Sequence, residues 1–258
     1  MKEIMLVCSA LMVPLALSSC VEPWRKAIEK GSAVILNVQV IPGGHCESSA
    51  MLNALVRQGY PLTEAMITGA GGALGFGFQK GTFPFIAARG LDMREVFFDA
   101  AGISWQKRIP ELGGDSGWGE IRSLLERGIP VVLRVDMRYL PYLYGGKYGS
   151  SYMSFGWHMV TIFGIDAAAG TASVSDTGHS GLQTMKLADL HKARTSKTKV
   201  YSPFAEYYWA DPAPKGGVRT GYAPDWERLM QASAKTVVRN YEDGSLEALK
   251  AFPEDLAS

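Results

Sequence analysis

Three residues of this chain could together perform nucleophilic chemistry: Cys46, His158 and Asp176. Cys46 stands in the stretch Gly43 to Leu55, GGHCESSAMLNAL, where a glycine pair gives way to the cysteine and then to small residues, Met and Leu with no helix breaker. That pattern predicts a loop delivering a thiol to the first turn of a helix. Backbone N–H groups at a helix start have no intrahelical partners and carry the positive end of the macrodipole, so a thiolate there is favoured over the thiol.

The other two residues bracket Trp157 to Asp176, WHMVTIFGIDAAAGTASVSD. Residues 158 to 165 are apolar and β-branched, 166 to 170 supply a turn, and 171 to 175 alternate like a returning strand, which predicts a β-hairpin. With the turn centred near 167 or 168, His158 and Asp176 fall opposite or nearly opposite, and their shared parity puts both on one face. An imidazole beside a carboxylate is the base-and-orienter half of a nucleophilic triad. The carboxylate fixes the ring tautomer, and an imidazolium next to the sulfur favours the thiolate. Each residue also has a plainer reading taken alone. Cys46 could be a buried, inert thiol, His158 a satisfied core histidine, and Asp176 the start of the turn holding Thr177 and Gly178. The order Cys, His, Asp, with the thiol at a helix start, favours the triad.

The elements that must position these residues are legible around them. A strand is expected over Ala33 to Val40 (AVILNVQV), feeding the cysteine loop. The helix from Cys46 to Gln58 carries Met51, Leu52, Leu55 and Val56 at helical spacing and ends at Gly59. A short helix is expected over Thr63 to Thr68, and amphipathic helices over Gly90 to Ala101 and Gly119 to Glu126. The glycine-dense GAGGALGFG, 69 to 77, has no Lys-Ser/Thr pair and follows a helix, so it predicts a loop packed against other backbone rather than a phosphate cradle. Pro130 to Val135 reads as a buried strand. After it, Asp136 and the aromatic segment from Tyr139 to Phe155, with Tyr139 and Tyr142, are candidates for substrate contact or a lid, the cap of the next turn being the simpler reading of Asp136. An aromatic segment from Ser202 to Trp209 closes the sheet, 211 to 224 reads as a Pro/Gly-rich linker, and 225 to 258 as a short helical appendage.

A chain of 258 residues with 47% hydrophobic and 20% charged content can bury a full core. With a net charge of +1 and scattered lysines and arginines no domain-scale basic face is visible in the sequence, so no nucleic-acid partner is expected. His158, Asp176 and His179 lack the spacing of a zinc site, and neither metal nor cofactor is expected.

The first twenty residues are set apart. Lys2 precedes an apolar run from Ile4 to Leu17 that is too short to span a membrane and ends in small residues, the order of a secretory signal. Leu17-Ser18-Ser19-Cys20 resembles the bacterial lipobox, in which the cysteine is lipidated and becomes the mature N-terminus. The expected location is therefore the bacterial cell envelope, lipid-anchored, at the outer membrane if the organism has one. Of the three cysteines, Cys8 would leave with the signal and Cys20 would carry lipid, so Cys46 would be the sole free thiol of the mature protein.

Several motifs in order, GGHCESSAMLNAL, LTEAMITGAGGALGFGF, PVVLRVDMRYLPYL and FGWHMVTIFGID with VSDT, resemble the N-terminal domain of butirosin biosynthesis protein H. The resemblance runs from about Val40 to Asp176. It implies an α+β, papain-like fold in a catalytic domain over 21 to 210, with the cysteine at a helix N-terminus packed against an antiparallel sheet carrying His and Asp. It also implies a thiol acyltransferase moving an acyl group from a carrier-bound thioester to an amine, with Cys46 as nucleophile, His158 as general base and Asp176 as orienter. An exported enzyme would need another donor, such as a peptide, an amide or a lipid ester, and amide hydrolysis, peptide cleavage and a binding lipoprotein without turnover are alternatives. For the oxyanion, papain-like enzymes place a Gln a few residues before the Cys. Gln39 is one residue beyond the common spacing, and the His45 side chain and the Cys46 backbone N–H are the other candidates.

Overall fold

The computed structural model describes residues 22–29, 31–79, 85–87, 92–143, 154–198, 201–213 and 222–257. The signal segment with Cys20, most of the aromatic segment after Tyr142, and the middle of the 211–224 linker lie outside the described residues. Among the described residues no helix is long and apolar enough to cross a membrane.

The chain is α+β. Its described strands form a seven-stranded sheet in the order β4, β9, β5, β6, β7, β8, with β1 pairing on β6 beside the end of β5, and every pairing is antiparallel. In chain order the sheet strands are β1 (Ala33–Val34), β4 (Trp105–Arg108), β5 (Val131–Val135), β6 (His158–Asp166), β7 (Thr171–Ser175), β8 (Gln183–Lys186) and β9 (Tyr207–Ala210). A separate hairpin pairs β2 (Gly77–Gln79) with β3 (Phe85–Ala87). One face of the sheet packs on α1 (Pro23–Ile28), α5 (Trp118–Glu126) and α6 (Leu187–Thr195). The other packs on α2 (Cys46–Arg57), with α3 (Glu64–Ala70) and α4 (Met93–Ala101) beside it and α7 (Trp226–Asn240) lying against α3 and α4.

Helix α2 is buried at every position from Glu47 to Leu55, so it is a core helix rather than an amphipathic surface one. Met51 and Leu55 are fully buried, each such side chain contributing roughly 1.5–3 kcal/mol. Thr161 on β6 donates its hydroxyl to the Ala50 carbonyl at 2.7 Å and ties the helix to the central strand. Gly59, at φ +94°, ends the helix as its position after the last apolar turn predicts.

The expected strand over 33–40 is two residues long. Val34 pairs with Gly164, and the Ile35 N–H still donates to the Phe163 carbonyl at 2.8 Å, but Asn37 turns left-handed at φ 55° and leads the chain away from the sheet. Within the 69–77 stretch, residues 69–70 end α3 and Gly77 opens β2, and a close backbone approach is made at Gly71. A Cβ on Gly71 would stand 2.6 Å from Met93 Cγ and 2.7 Å from the Met93 carbonyl, so α3 and α4 approach here only because side chains are absent.

The hairpin of β6 and β7 has a turn wider than its expected centre. Asp166 pairs with Thr171, and its Oδ1 accepts from the Ala168 and Ala169 N–H groups at 3.0 Å each. Carried to the strand ends, that register would set Asp176 opposite Thr161 and on the other face from His158. A bulge between Ile162 and Gly164 shifts the pairing by one residue, so that Thr161 meets Ser175. Continuing that register sets Asp176 opposite Val160, diagonal to His158 on the same face.

The C-terminal helices are docked rather than trailing. Arg228 donates to the Asp99 carbonyl at 2.7 Å, Asn240 donates to the carbonyls of Gly72 and Leu74, and Leu229 is buried against α3 and α4. Phe252 of α8 (Leu246–Ala257) packs edge-on against Phe76 and Phe78. The described ends of the 211–224 stretch are also pinned, Ala213 through its N–H to the Gln58 carbonyl and Tyr222 through its hydroxyl to Ala101.

Candidate active site

Cys46 is the first residue of α2, a half-buried free thiol. The loop before it is clamped at two points. Asn53, about two turns along α2 on the same face as Cys46, accepts from the Ile41 N–H at 2.9 Å and returns a bond to the Ile41 carbonyl at 3.0 Å. Glu64 at the start of α3 accepts from the N–H groups of Gly44 at 2.8 Å and His45 at 3.1 Å, and from the Ser48 hydroxyl at 2.7 Å. Burial pushes the Glu64 carboxyl up, but these donors outweigh it and hold its pKa below the ordinary value. Gly43 is required by this clamp, because a Cβ there would stand 2.6 Å from Ser49 Cβ and 2.8 Å from the Glu64 carboxylate. Sequence reading missed Glu64 and Asn53. Their only signal was membership of the quoted motifs.

His158 opens β6 and is paired in register with Val135. Its Nε2 lies 2.7 Å from Asp176 Oδ1 in a buried contact, and Cys46 is near enough to influence the titration of the ring. Burial alone lowers the His158 pKa. The hydrogen bonds with Asp176 and Cys46, and the charges of both, outweigh burial and raise it to about 9. The upward shift favours the protonated ring, in which Nε2–H donates to Asp176.

Asp176, 3% exposed, follows the last residue of β7. Oδ1 also accepts from the Thr177 N–H at 2.6 Å, and Oδ2 accepts from the Tyr142 hydroxyl at 3.0 Å. Tyr142, a candidate for substrate contact, touches the carboxylate paired with His158. Burial first, then the Asp176 charge and hydrogen bond, push its pKa well above the ordinary value, so it remains a donor.

The other candidate residues lie elsewhere. Asp136 is fully buried and caps the 3-10 turn Met137–Tyr139: Oδ1 accepts from the Arg138 N–H at 3.0 Å, while Oδ2 accepts from the hydroxyls of Ser154 at 2.9 Å and Ser196 at 2.6 Å. With both oxygens engaged inside the protein, it is a structural cap and not a substrate ligand. Tyr139 lines a cleft of about 640 Å³ with Arg138, Pro141, Met185, Lys186 and Lys192, and none of Cys46, His158 and Asp176 lines it. Gln39 is exposed and lies beyond the point where β1 leaves the sheet. His45 is the N-cap residue of α2, with no side-chain cap bond, and is half-buried. Among the described residues no group of His, Cys, Asp and Glu side chains could hold a metal ion.

Chemically, the arrangement offers a sulfur at a helix start, an imidazole whose titration that sulfur influences, and a carboxylate fixed by three donors. No curated protein matches the chain. The family model described as butirosin biosynthesis protein H, N-terminal, matches residues 45–177, from the residue before Cys46 to the residue after Asp176. With more than half of its length matched, the chain belongs to the family of the butirosin biosynthesis protein H N-terminal domain.

Proposed function

We propose that this protein is a thiol enzyme, papain-like in arrangement, that performs acyl transfer or amide hydrolysis through an acyl-Cys46 intermediate. One observation supports the reading: the buried Asp176–His158 pair at 2.7 Å, whose ring titration Cys46, the first residue of α2, also influences. The Cys46 thiolate attacks the carbonyl carbon of the donor, and the carbonyl π pair moves to oxygen. When the tetrahedral adduct collapses, the leaving group departs with the proton from His158. An amine or water then attacks the acyl-cysteine, His158 takes its proton, and the thiolate is released. Asp176 keeps its charge throughout and orients the ring.

The Gly44 and His45 N–H groups are committed to Glu64, so the Cys46 backbone N–H, at the first helical position, is the donor we assign to the oxyanion. The signal-like segment and Cys20 add a further element to the proposal. An enzyme lipid-anchored at the cell envelope would take its acyl group from a peptide, an amide or a lipid ester rather than from a cytoplasmic carrier.

The test is alkylation by iodoacetamide at neutral pH, followed by mass spectrometry of Cys46 recovered from cells. Hyperreactivity that disappears in His158→Ala, together with an acyl mass on the cysteine, is the expected result. Ordinary thiol reactivity and an unmodified cysteine would sink the proposal and leave a binding protein. The mass and nature of the acyl group separate peptide cleavage from transfer.

A further inference from the structure

We propose that Arg94 is a positioning residue that sets the spacing between Cys46 and His158 through a buried chain of ion pairs. The inference rests on the thiol-enzyme reading above and assigns a role to charges that the reaction itself does not touch.

Glu47 directly follows Cys46, and Trp157 directly precedes His158. The two are joined through the interior. Glu47 Oε1 lies 3.4 Å from Arg94 Nη1, and the same nitrogen lies 3.1 Å from Glu206 Oε1. The second oxygen of Glu206 pairs with Arg134 Nη1 at 3.0 Å, and the Arg134 guanidinium stands 5.3 Å from the centre of the Trp157 ring. A side arm runs from Arg94 Nη2 to Glu95 at 2.8 Å and on to Lys107 at 3.3 Å. Glu47, Glu95 and Glu206 thus balance Arg94, Arg134 and Lys107. The side chains of Glu47, Arg94 and Glu206 are each no more than 6% exposed, and the Tyr208 ring lies 4.6 Å from the Arg94 guanidinium.

This cluster is poorly suited to a purely stabilising role. Buried ion pairs carry a desolvation cost comparable to their attraction, and apolar residues often replace them without loss. Arg94 also sits in the first turn of α4, where the macrodipole disfavours a cation. Burial likewise opposes its charge, and the neighbouring Tyr208, Glu47 and Glu95 are what keep its pKa above the ordinary value. What the cluster does supply is fixed geometry. A planar guanidinium fork holds three carboxylates at set angles, which a lysine cannot do. One of those carboxylates belongs to the residue after the nucleophile. Another leads through Arg134 to the residue before the base. Thiol and imidazole come from segments more than a hundred residues apart, and small misplacement of reacting groups is costly.

Alkylation of Cys46 by iodoacetamide across pH 5 to 10 tests this in wild type, Glu47→Gln, Arg94→Lys and Arg134→Lys. Arg122→Lys serves as a control, since Arg122 is a similarly buried cation, 7% exposed, paired with Glu126 away from the site. The expected result is a rate near pH 7 that falls about tenfold in the three variants, with the rate at pH 10 unchanged. The control should shift the melting temperature without moving the profile. Variant profiles that superimpose on wild type, whatever their melting temperatures, would overturn the positioning role and leave the thiol-enzyme reading standing. A wild-type profile that already matches an ordinary thiol would overturn both. Three variants on separate links keep the result readable if one of them does not fold.

Discussion

Tyr142 donates its hydroxyl to the Asp176 oxygen that does not face His158. The carboxylate is thereby held from both sides, by the imidazole and Thr177 N–H on Oδ1 and by the phenol on Oδ2. Tyr142 is thus part of the frame around the Asp176–His158 pair.

Tyr142→Phe removes that donor and leaves a buried carboxylate oxygen without it. A hydrogen bond to a charged group is worth about 1.5–3 kcal/mol, so denaturant unfolding near pH 7 should show a loss of that order. Alkylation of Cys46 should slow as well, because the ring is less firmly oriented. Stability and alkylation both matching wild type would refute this role for Tyr142.

The pH dependence of stability follows from His158, whose folded-state pKa of about 9 lies above its ordinary value of 6.5. The unfolded chain releases this proton first as pH rises. The stability contributed by His158 is therefore fully present below about pH 6.5 and is lost as pH rises through about 9, with a slope approaching ~1.4 kcal/mol per pH unit. Denaturant midpoints of wild type should fall over that window relative to His158→Gln. Parallel curves for the two proteins would contradict the assignment.

Glu64 and Gly43 should behave as parts of one clamp. Glu64→Ala leaves the Gly44 and His45 N–H groups and the Ser48 hydroxyl without their acceptor, at a cost of about 1–3 kcal/mol. Gly43→Ala forces a Cβ against Ser49 and the Glu64 carboxylate and should disturb the same loop. Both substitutions should slow alkylation of Cys46 in protein that is still folded by circular dichroism.

Asp136 supplies the contrast. Asp136→Ala deletes the cap of the 3-10 turn and strands two serine hydroxyls, so a loss of about 2 kcal/mol or more is expected in unfolding experiments. The folded fraction should alkylate at the wild-type rate. A selective loss of reactivity with unchanged stability would return Asp136 to the site.

By itself, the sequence determined the pieces whose signals are local. The glycine pair, Cys46 and the unbroken apolar spacing after it specify a helix that begins at the thiol, because helical periodicity and its terminators are written into neighbouring residues. Two alternating runs around a turn likewise specify the hairpin bearing His158 and Asp176. Tertiary structure decided the rest. The bulge between Ile162 and Gly164 chose the face shared by His158 and Asp176, and no local pattern encodes where a strand gains its extra residue. Asn37 ended the first strand early and left Gln39 exposed. Glu64, Arg94 and Glu206 found their partners across the fold, where burial makes each unpaired charge costly and so selects the pairing. Spacing along the chain can nominate a nucleophile and a base. Only the packing of distant segments determines which carboxylates orient them and which merely cap a turn.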